Sequence, residues 1–442
     1  MTDTTVQAPK PRGALFIVFL VVFIDLLGFG IVLPVMPRLA DEYLQAFSES
    51  TRGLIIGCLY SSFSLMQFIF SPMWGRVSDR IGRRPILLMG LAGSVVFYGL
   101  FGFACTLPAE QATLAVGLML LARIGAGIAG ASVGTAAAVI ADCTTPETRA
   151  KGMALIGIAF GGGFALGPLI AYFGLELFDE QKWGVGAIAS GLSLFALILA
   201  IFKLPETRKP GAPHADRSFF SISRTMNVLR VPTVGPLILI YFLAIFAFAN
   251  FEATLALFTK SAFNLTDRDN FRVFAYVGFV LLFAGGMYRP LVKKRPESML
   301  LMIGIALLLA GMGILCLTAY ATYQFRPITT PGEILRVDIN FKPWFYLGMT
   351  IAVIGFAFVN PSVSALVSKR SDPNRQGEVL GVNQGCASLG RILGPMAGSL
   401  LFYAHPSRIA PFAAAAATLV VVLMLLPMIK GPKPQEPGEP VA

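Results

Sequence analysis

Apolar runs of about 20 residues recur along the chain, and short polar segments rich in Arg, Lys, Asp and Pro separate them. Twelve runs can be delimited, at 14–38, 53–74, 85–107, 112–141, 152–174, 185–203, 234–258, 272–292, 298–323, 343–368, 379–403 and 409–430. Each predicts a transmembrane helix, because about 20 helical residues cross a hydrocarbon core of roughly 30 Å. The pattern therefore predicts an all-α membrane protein of twelve spans. The longest break holds Pro205, Pro210, Pro213 and Pro232 and divides the spans six and six. This gives an N-terminal six-helix bundle at 1–203, a linker at 204–233, a C-terminal six-helix bundle at 234–430 and a Pro/Gly-rich, disordered tail at 431–442. Within the linker, Phe219, Phe220, Ile222, Met226 and Leu229 alternate with Arg224 and Arg230. Residues 218–230 then read either as an amphipathic helix on the membrane surface or as an irregular loop.

Composition agrees with the pattern. Mean hydropathy is +0.72 and only 13% of residues are charged, against about 25% in soluble domains. The first run is too long for a signal-peptide core and reads as a permanent span. A net charge of +11 does not point to nucleic acid here, because the cations sit in loops between spans. The termini and the even-to-odd loops carry 23 Lys and Arg and the opposite loops 10. That asymmetry places both termini and the linker in the cytoplasm of a cell (inner or plasma) membrane. The sequon Asn264–Thr266 then falls on the opposite side.

The five cysteines show no CxxC spacing, and His214 and His405 lie in loops beside prolines. Neither a disulfide framework nor a metal site is indicated, and no cofactor is expected. No catalytic triad or phosphate loop is present, so neither an enzyme nor an ATP-driven pump is expected. The expected partners are a small-molecule substrate, protons and the lipid bilayer, with the chain acting as a monomer.

Two offsets align the halves. At +211, Gly75 falls on Gly286 and Arg83-Arg84-Pro85 on Lys294-Arg295-Pro296, while Asp79 falls on Pro290. At +227, Pro146 falls on Pro373 and Gly167-Pro168 on Gly394-Pro395. Matched loops in two six-span halves point to a pseudo-symmetric transporter.

The stretch Gly75-Arg-Val-Ser-Asp-Arg-Ile-Gly-Arg-Arg-Pro85, between spans 2 and 3, matches the Gly-x-x-x-Asp-Arg-x-Gly-Arg-Arg loop of the major facilitator superfamily. The chain resembles that family over nearly its whole length. Arg123-Ile-Gly-Ala-Gly127 in span 4 looks like the family's arginine motif, with Ala126 where Gln is common. Span 5, GIAFGGGFALGPLIAY, resembles the glycine-rich motif of the antiporter branch, with Ala171 and Tyr172 in place of its closing glycines. Span 1, DLLGFGIVLPVMP, looks like that of the drug:proton antiporters, tetracycline exporters included. The resemblance implies alternating access, with spans 1, 4, 7 and 10 lining the cavity. It also implies a cytoplasmic gate built from Gly75, Asp79, Arg80, Gly82, Arg83, Arg84 and Asp142, reaching the start of span 11 near Gly377. Positive-inside anchoring accounts for these arginines but not for an aspartate among them.

Asp25 lies near the middle of span 1 at 1.5 Å per residue. A lone carboxylate there costs about 2.5–3.5 kcal/mol, so it faces a cavity or a partner. Desolvation favours the neutral form of a carboxyl group, which suits a proton carrier; a structural ion pair is the alternative. Arg123 is at similar depth and keeps its charge, so a coupling between Asp25 and Arg123 is expected. In span 7, Asn250 and Glu252 lie towards the outer end. Glu252 reads as a second proton carrier, a ligand for a cationic substrate, or a snorkelling surface residue.

Asn383, Gln384 and Arg391 form a polar series in span 11, with 384 and 391 on one helical face. Arg391 needs a counter-charge, either Glu252 or a substrate anion. Asn360, before Pro361 in span 10, lines the cavity, or Pro361 merely kinks the helix. Asp25, Arg123, Asn250, Glu252, Asn360, Asn383, Gln384 and Arg391 are thus the substrate-binding candidates, with Asp25 and Glu252 as the proton-coupling pair. Gly157, Gly161, Gly167 and Pro168, with Gly394 and Pro395, are the helix-packing candidates. The expected activity is proton-coupled antiport of an amphiphilic organic molecule. Symport or facilitated uptake of an organic anion or metabolite, and a transport-inactive scaffold, are the alternatives.

Overall fold

A computed structural model of the chain describes residues 11–35, 39, 42–144, 146–179, 181–208, 222–325, 329–330, 333–334, 340–371 and 376–429. The first half supplies α1 (Pro11–Val32), α2 (Glu49–Ile81), α3 (Arg83–Ala104), α4 (Ala112–Ala129), α5 (Val133–Cys143), α6 (Pro146–Leu177) and α7 (Trp183–Lys203). A short α8 (Ile222–Leu229) follows. The second half supplies α9 (Gly235–Phe263), α10 (Asp267–Val292), α11 (Glu297–Gln324), α12 (Lys342–Arg370), α13 (Gln376–Ala404) and α14 (Ala410–Leu425). Between α11 and α12, Thr329–Thr330 pairs antiparallel with Glu333–Ile334. Eight helical segments of the described residues are long and apolar enough to cross a membrane, the one at 109–140 running through α4 and α5.

Local chemistry sets several boundaries. Ser48 caps α2 by accepting from the Thr51 amide at 3.3 Å, with Glu49 in the first turn, where a carboxylate suits the helix dipole. Between α4 and α5 the helix tightens into a 3₁₀ turn at Gly130–Ser132. Side chains of α2 bond the carbonyls beside that break: Trp74 Nε1 donates to Ile128 at 2.7 Å and Gln67 Nε2 to Gly130 at 3.0 Å. Such bonds matter because lipid offers none.

Two compact units emerge, 1–219 with 255–282, and 220–254 with 283–442. The core of the first joins Val18 and Val22 of α1, Leu87 and Leu91 of α3, Val139 of α5 and Ala196 of α7. The core of the second joins Ile238 and Tyr241 of α9, Leu301 and Ile305 of α11, Val363 of α12 and Val422 of α14. Val228 of α8 is buried in this second core. The linker helix is therefore shorter than the 218–230 pattern and anchored to its unit by an apolar residue; 218–221 lie outside the described residues.

Lipid tails are as apolar as these side chains, so helix association rests on close packing. The repeat shows how. In the first unit α6 packs on α1, where a Cβ on Gly167 would lie 3.1 Å from the Leu27 carbonyl oxygen and 3.2 Å from Gly30. In the second, α13 packs on α9, where a Cβ on Gly394 would lie 2.7 Å from the Phe246 carbonyl oxygen. Pro168 and Pro395 sit inside these two helices. Gly157 and Gly161 belong to α6, but their surroundings lie outside the described residues.

A close seam joins α11 and α12. A Cβ on Gly355 would stand 2.4 Å from the Leu308 amide nitrogen and 2.5 Å from the Gly304 carbonyl oxygen. These are backbone atoms and cannot rotate away. Gly355→Leu is therefore expected to destabilise the protein by about 3 kcal/mol or more, read as a lower thermal unfolding midpoint in detergent. Gly313, whose Cβ would meet nothing within 4 Å, should accept Ala with little change.

Candidate functional site

The charged stretch between spans 2 and 3 is not a loop. Helix α2 runs through Gly75, Asp79 and Arg80 to Ile81, and only Gly82 interrupts the path into α3. Gly82 has φ +109°, a conformation L side chains avoid. A Cβ there would also collide with the Glu206 carboxylate. Arg83 is the hub: its Nη1 meets Asp79 Oδ1 at 2.5 Å and Ser78 Oγ at 2.7 Å, and its Nε reaches Asp142 Oδ2 at 3.3 Å. Asp142 belongs to the last turn of α5.

Glu206, three residues past α7, caps α3. Its carboxylate accepts the backbone amides of Arg83 and Arg84 at 2.9 and 3.1 Å. Helix starts leave such amides unpaired and favour a negative charge beside them. Arg208 Nη1 donates to the Arg80 carbonyl at 2.6 Å, and Arg84 Nη2 to the Ile201 carbonyl at 2.7 Å. The segment after span 6 is thereby tied to the α2–α3 junction. The side chains of Glu147, Arg149 and Gly377's neighbour Glu378 lie outside the described residues.

In the second unit, three candidates, Asn360, Glu252 and Arg391, share one neighbourhood. The buried Tyr241 of α9 donates its hydroxyl to Asn360 Oδ1 of α12 at 2.7 Å, while Asn360 itself is exposed. The Arg391 guanidinium of α13 lies close enough for its charge to act on both Glu252 and Tyr241. The sequence asks Arg391 for a counter-charge, and Glu252 is within its electrostatic reach. An apolar wall adjoins: Phe248 of α9 and Phe356 of α12 stack with centroids 3.7 Å apart and planes 4° apart. Gln384 is exposed, one helical face with Arg391.

Asn250 and Asn383 are placed differently. Asn250 is fully buried in the α9–α13 seam, where a Cβ on Gly398 would stand 2.8 Å from its Oδ1. Asn383 is 2% exposed.

Arg123 is also fully buried. Its Nε donates to the Leu59 carbonyl at 3.1 Å, and its guanidinium sits 4.7 Å above the Phe63 ring, both on α2. The aromatic face and the carbonyl offset part of the cost of holding this cation away from water. Asp25 lies in α1, but its side chain is outside the described residues.

A family model for the Major Facilitator Superfamily matches residues 18–329 and 328–441. The chain belongs to that superfamily. It is similar to major facilitator superfamily domain-containing protein 10 of Mus musculus, 24% identical over 467 residues, covering 96% of this chain and 95% of that protein. It is also similar to the class E tetracycline resistance protein of Escherichia coli, 28% identical over 388 residues, covering 87% and 86%. Among solved structures, the human organic anion transporter MFSD10 (TETRAN) shares the fold with a TM-score of 0.65 at 24% identity, covering 95% of this chain and all of that one. This major facilitator is thus a multi-pass membrane transporter of twelve transmembrane helices, not an enzyme. Helices α4 and α5 together form its fourth span.

Two structural features of this major facilitator escape sequence reasoning. Glu206 sits in the proline-punctuated linker, where the only signal is an isolated acid directly after a span. Tyr172 reads in the sequence as a departure from the antiporter glycine pair, yet it organises a cluster. Its hydroxyl donates to Glu176 Oε1 at 3.0 Å and accepts from Arg272 Nη2 at 3.3 Å. Arg268, bridged to Glu176 at 2.7 Å, and Arg272 both face the Tyr172 ring. The cluster ties α6 to α10 within the first unit.

Proposed function

We propose that the protein exports a small amphiphilic organic molecule in exchange for protons, by alternating access of two six-helix bundles, 1–203 and 234–430, about the linker at 204–233. The observation that carries this reading is the grouping of Glu252, Arg391, Asn360 and Tyr241 beside the stacked Phe248 and Phe356. An acid that exchanges a proton, a fixed cation, polar groups that orient a ligand and an aromatic wall are what an amphiphile requires. Asp25 is the second proton carrier, and Arg123 holds positive charge in the neighbouring helices. The similarity to tetracycline resistance proteins and the drug-antiporter motifs supports efflux. The termini, the linker and the Arg83 network are cytoplasmic, and the carrier acts as a monomer in the cell membrane.

A second reading is symport of an organic anion. Arg391 favours it, since protonating Glu252 would leave that cation available to a substrate carboxylate, so proton and anion would bind together. One relative described as an organic anion transporter supports the same reading. Flux into proteoliposomes under an imposed pH gradient separates the two. Acceleration by an oppositely directed proton gradient is expected for antiport, and by a parallel gradient for symport. Flux of every tested anionic and cationic candidate that ignores the gradient would remove proton coupling altogether. Asp25→Asn should lose the gradient response; a variant with intact proton-driven flux would exclude Asp25.

A further inference from the structure

The two copies of the repeated charged segment are finished in opposite ways. In the first copy Arg83 is neutralised by Asp79 and Asp142, and Glu206 closes the helix start. In the second copy Pro290 stands where Asp79 would be, and at the +227 offset Lys369 stands where Asp142 would be. Lys369 pairs with Glu297 at 2.5 Å, which engages the acid at the start of α11. Arg289, Lys293, Lys294 and Arg295 are all exposed, and none pairs with an acid among the described residues. Four cations are thus crowded at the end of one membrane helix, with a fifth, Lys369, contributed by α12.

The face of α10 that leads to them is apolar and open. Phe283 is 65% and Met287 47% exposed, one helical turn apart. A Cβ on Gly286 between them would meet nothing within 4 Å. Pro290 continues the same face towards Lys294. The surface therefore offers an apolar strip of membrane depth that ends in concentrated positive charge.

We infer that the end of α10 and the α10–α11 turn form a docking surface for an anionic phospholipid, with its acyl chain along Phe283, Gly286 and Met287 and its phosphate among Arg289, Lys293, Lys294 and Arg295. Charge complementarity selects this occupant. Clusters of Lys and Arg at the end of a membrane helix attract anionic headgroups, and the apolar strip fits a tail that free phosphate lacks. The proposal goes beyond the transport reading and does not depend on it, because lipid retention is measured without substrate. It is likewise independent of orientation when both leaflets carry the same lipids.

The test uses the full chain in nanodiscs of phosphatidylcholine and phosphatidylglycerol, with lipids retained after extraction counted by native mass spectrometry. Wild type should retain phosphatidylglycerol in preference to phosphatidylcholine. The variant R289Q/K293Q/K294Q/R295Q should bind it at least about tenfold more weakly. R289K/R295K, which keeps the charges, and R230Q/K342Q, which removes two exposed cations elsewhere, should retain it as wild type does. Equal retention by wild type and the quadruple variant would overturn the assignment, as would an equal loss in R230Q/K342Q. Displacement of the lipid by inorganic phosphate would also overturn it, since that marks a phosphate site without a tail.

Discussion

Glu252→Gln is expected to cut transport driven by a pH gradient at least about tenfold, while substrate exchange at equal pH on both sides persists. Gln keeps the size and hydrogen-bonding reach of the carboxyl group but has no proton to exchange, so the driving force is lost and the route is not. The neighbouring Arg391 decides how far the damage spreads. Arg391 lies within electrostatic reach of Glu252, and a nearby opposite charge offsets part of the cost of holding a cation away from water. Glu252→Gln alone should therefore lower the yield of folded protein as well. The double variant Glu252→Gln/Arg391→Gln, which removes both charges, should recover folding but not gradient-driven flux. Proteoliposome flux measured with and without a gradient checks both statements. A single variant that keeps its gradient response would assign proton coupling to Asp25 alone.

The hydropathy pattern identifies the spanning segments because every backbone group inside lipid must bond within its own helix, which makes a long apolar run nearly unambiguous. It is weaker where that constraint ends. By hydropathy span 2 stops at Trp74, because the apolar run stops there. Helix α2 nevertheless continues to Ile81, since backbone bonding propagates through charged residues until Gly82 breaks it.

The site residues divide along the same lines. Glu252, Arg391 and Asn360 are legible because an intramembrane polar group is costly and must find company. Asn250 breaks the same rule: it is buried beside Gly398 with no side-chain hydrogen bond among the described residues, and composition cannot separate the two outcomes. Glu206 is illegible for the opposite reason. An acid outside the membrane carries no penalty, so only its position over the α3 amides gives it a role. Tyr172 shows the limit of motif comparison, because a missing glycine marks a residue with partners on α10.

Asp79→Ala is expected to lower maximal transport about tenfold with KM changed by less than about twofold, the pattern of an impaired conformational step and not of weaker binding. Its carboxylate meets Arg83 at 2.5 Å with the two side chains only 19% and 12% exposed, so the pair should exceed the 0–1 kcal/mol or so of a solvent-exposed bridge. The fold should survive, because Arg83 keeps Asp142 and Ser78, and Glu206 still holds the amides of Arg83 and Arg84. Arg83→Ala removes the hub itself and should be more damaging on the same measure. A variant with weakened affinity and normal turnover would contradict this role. Since the second copy has Pro290 at the corresponding place, with cations facing no acid among the described residues, the two junctions are chemically unequal. Adding Pro290→Asp to Asp79→Ala should therefore fail to restore turnover, because the lost bridge acts within α2 and α3 and not through net charge.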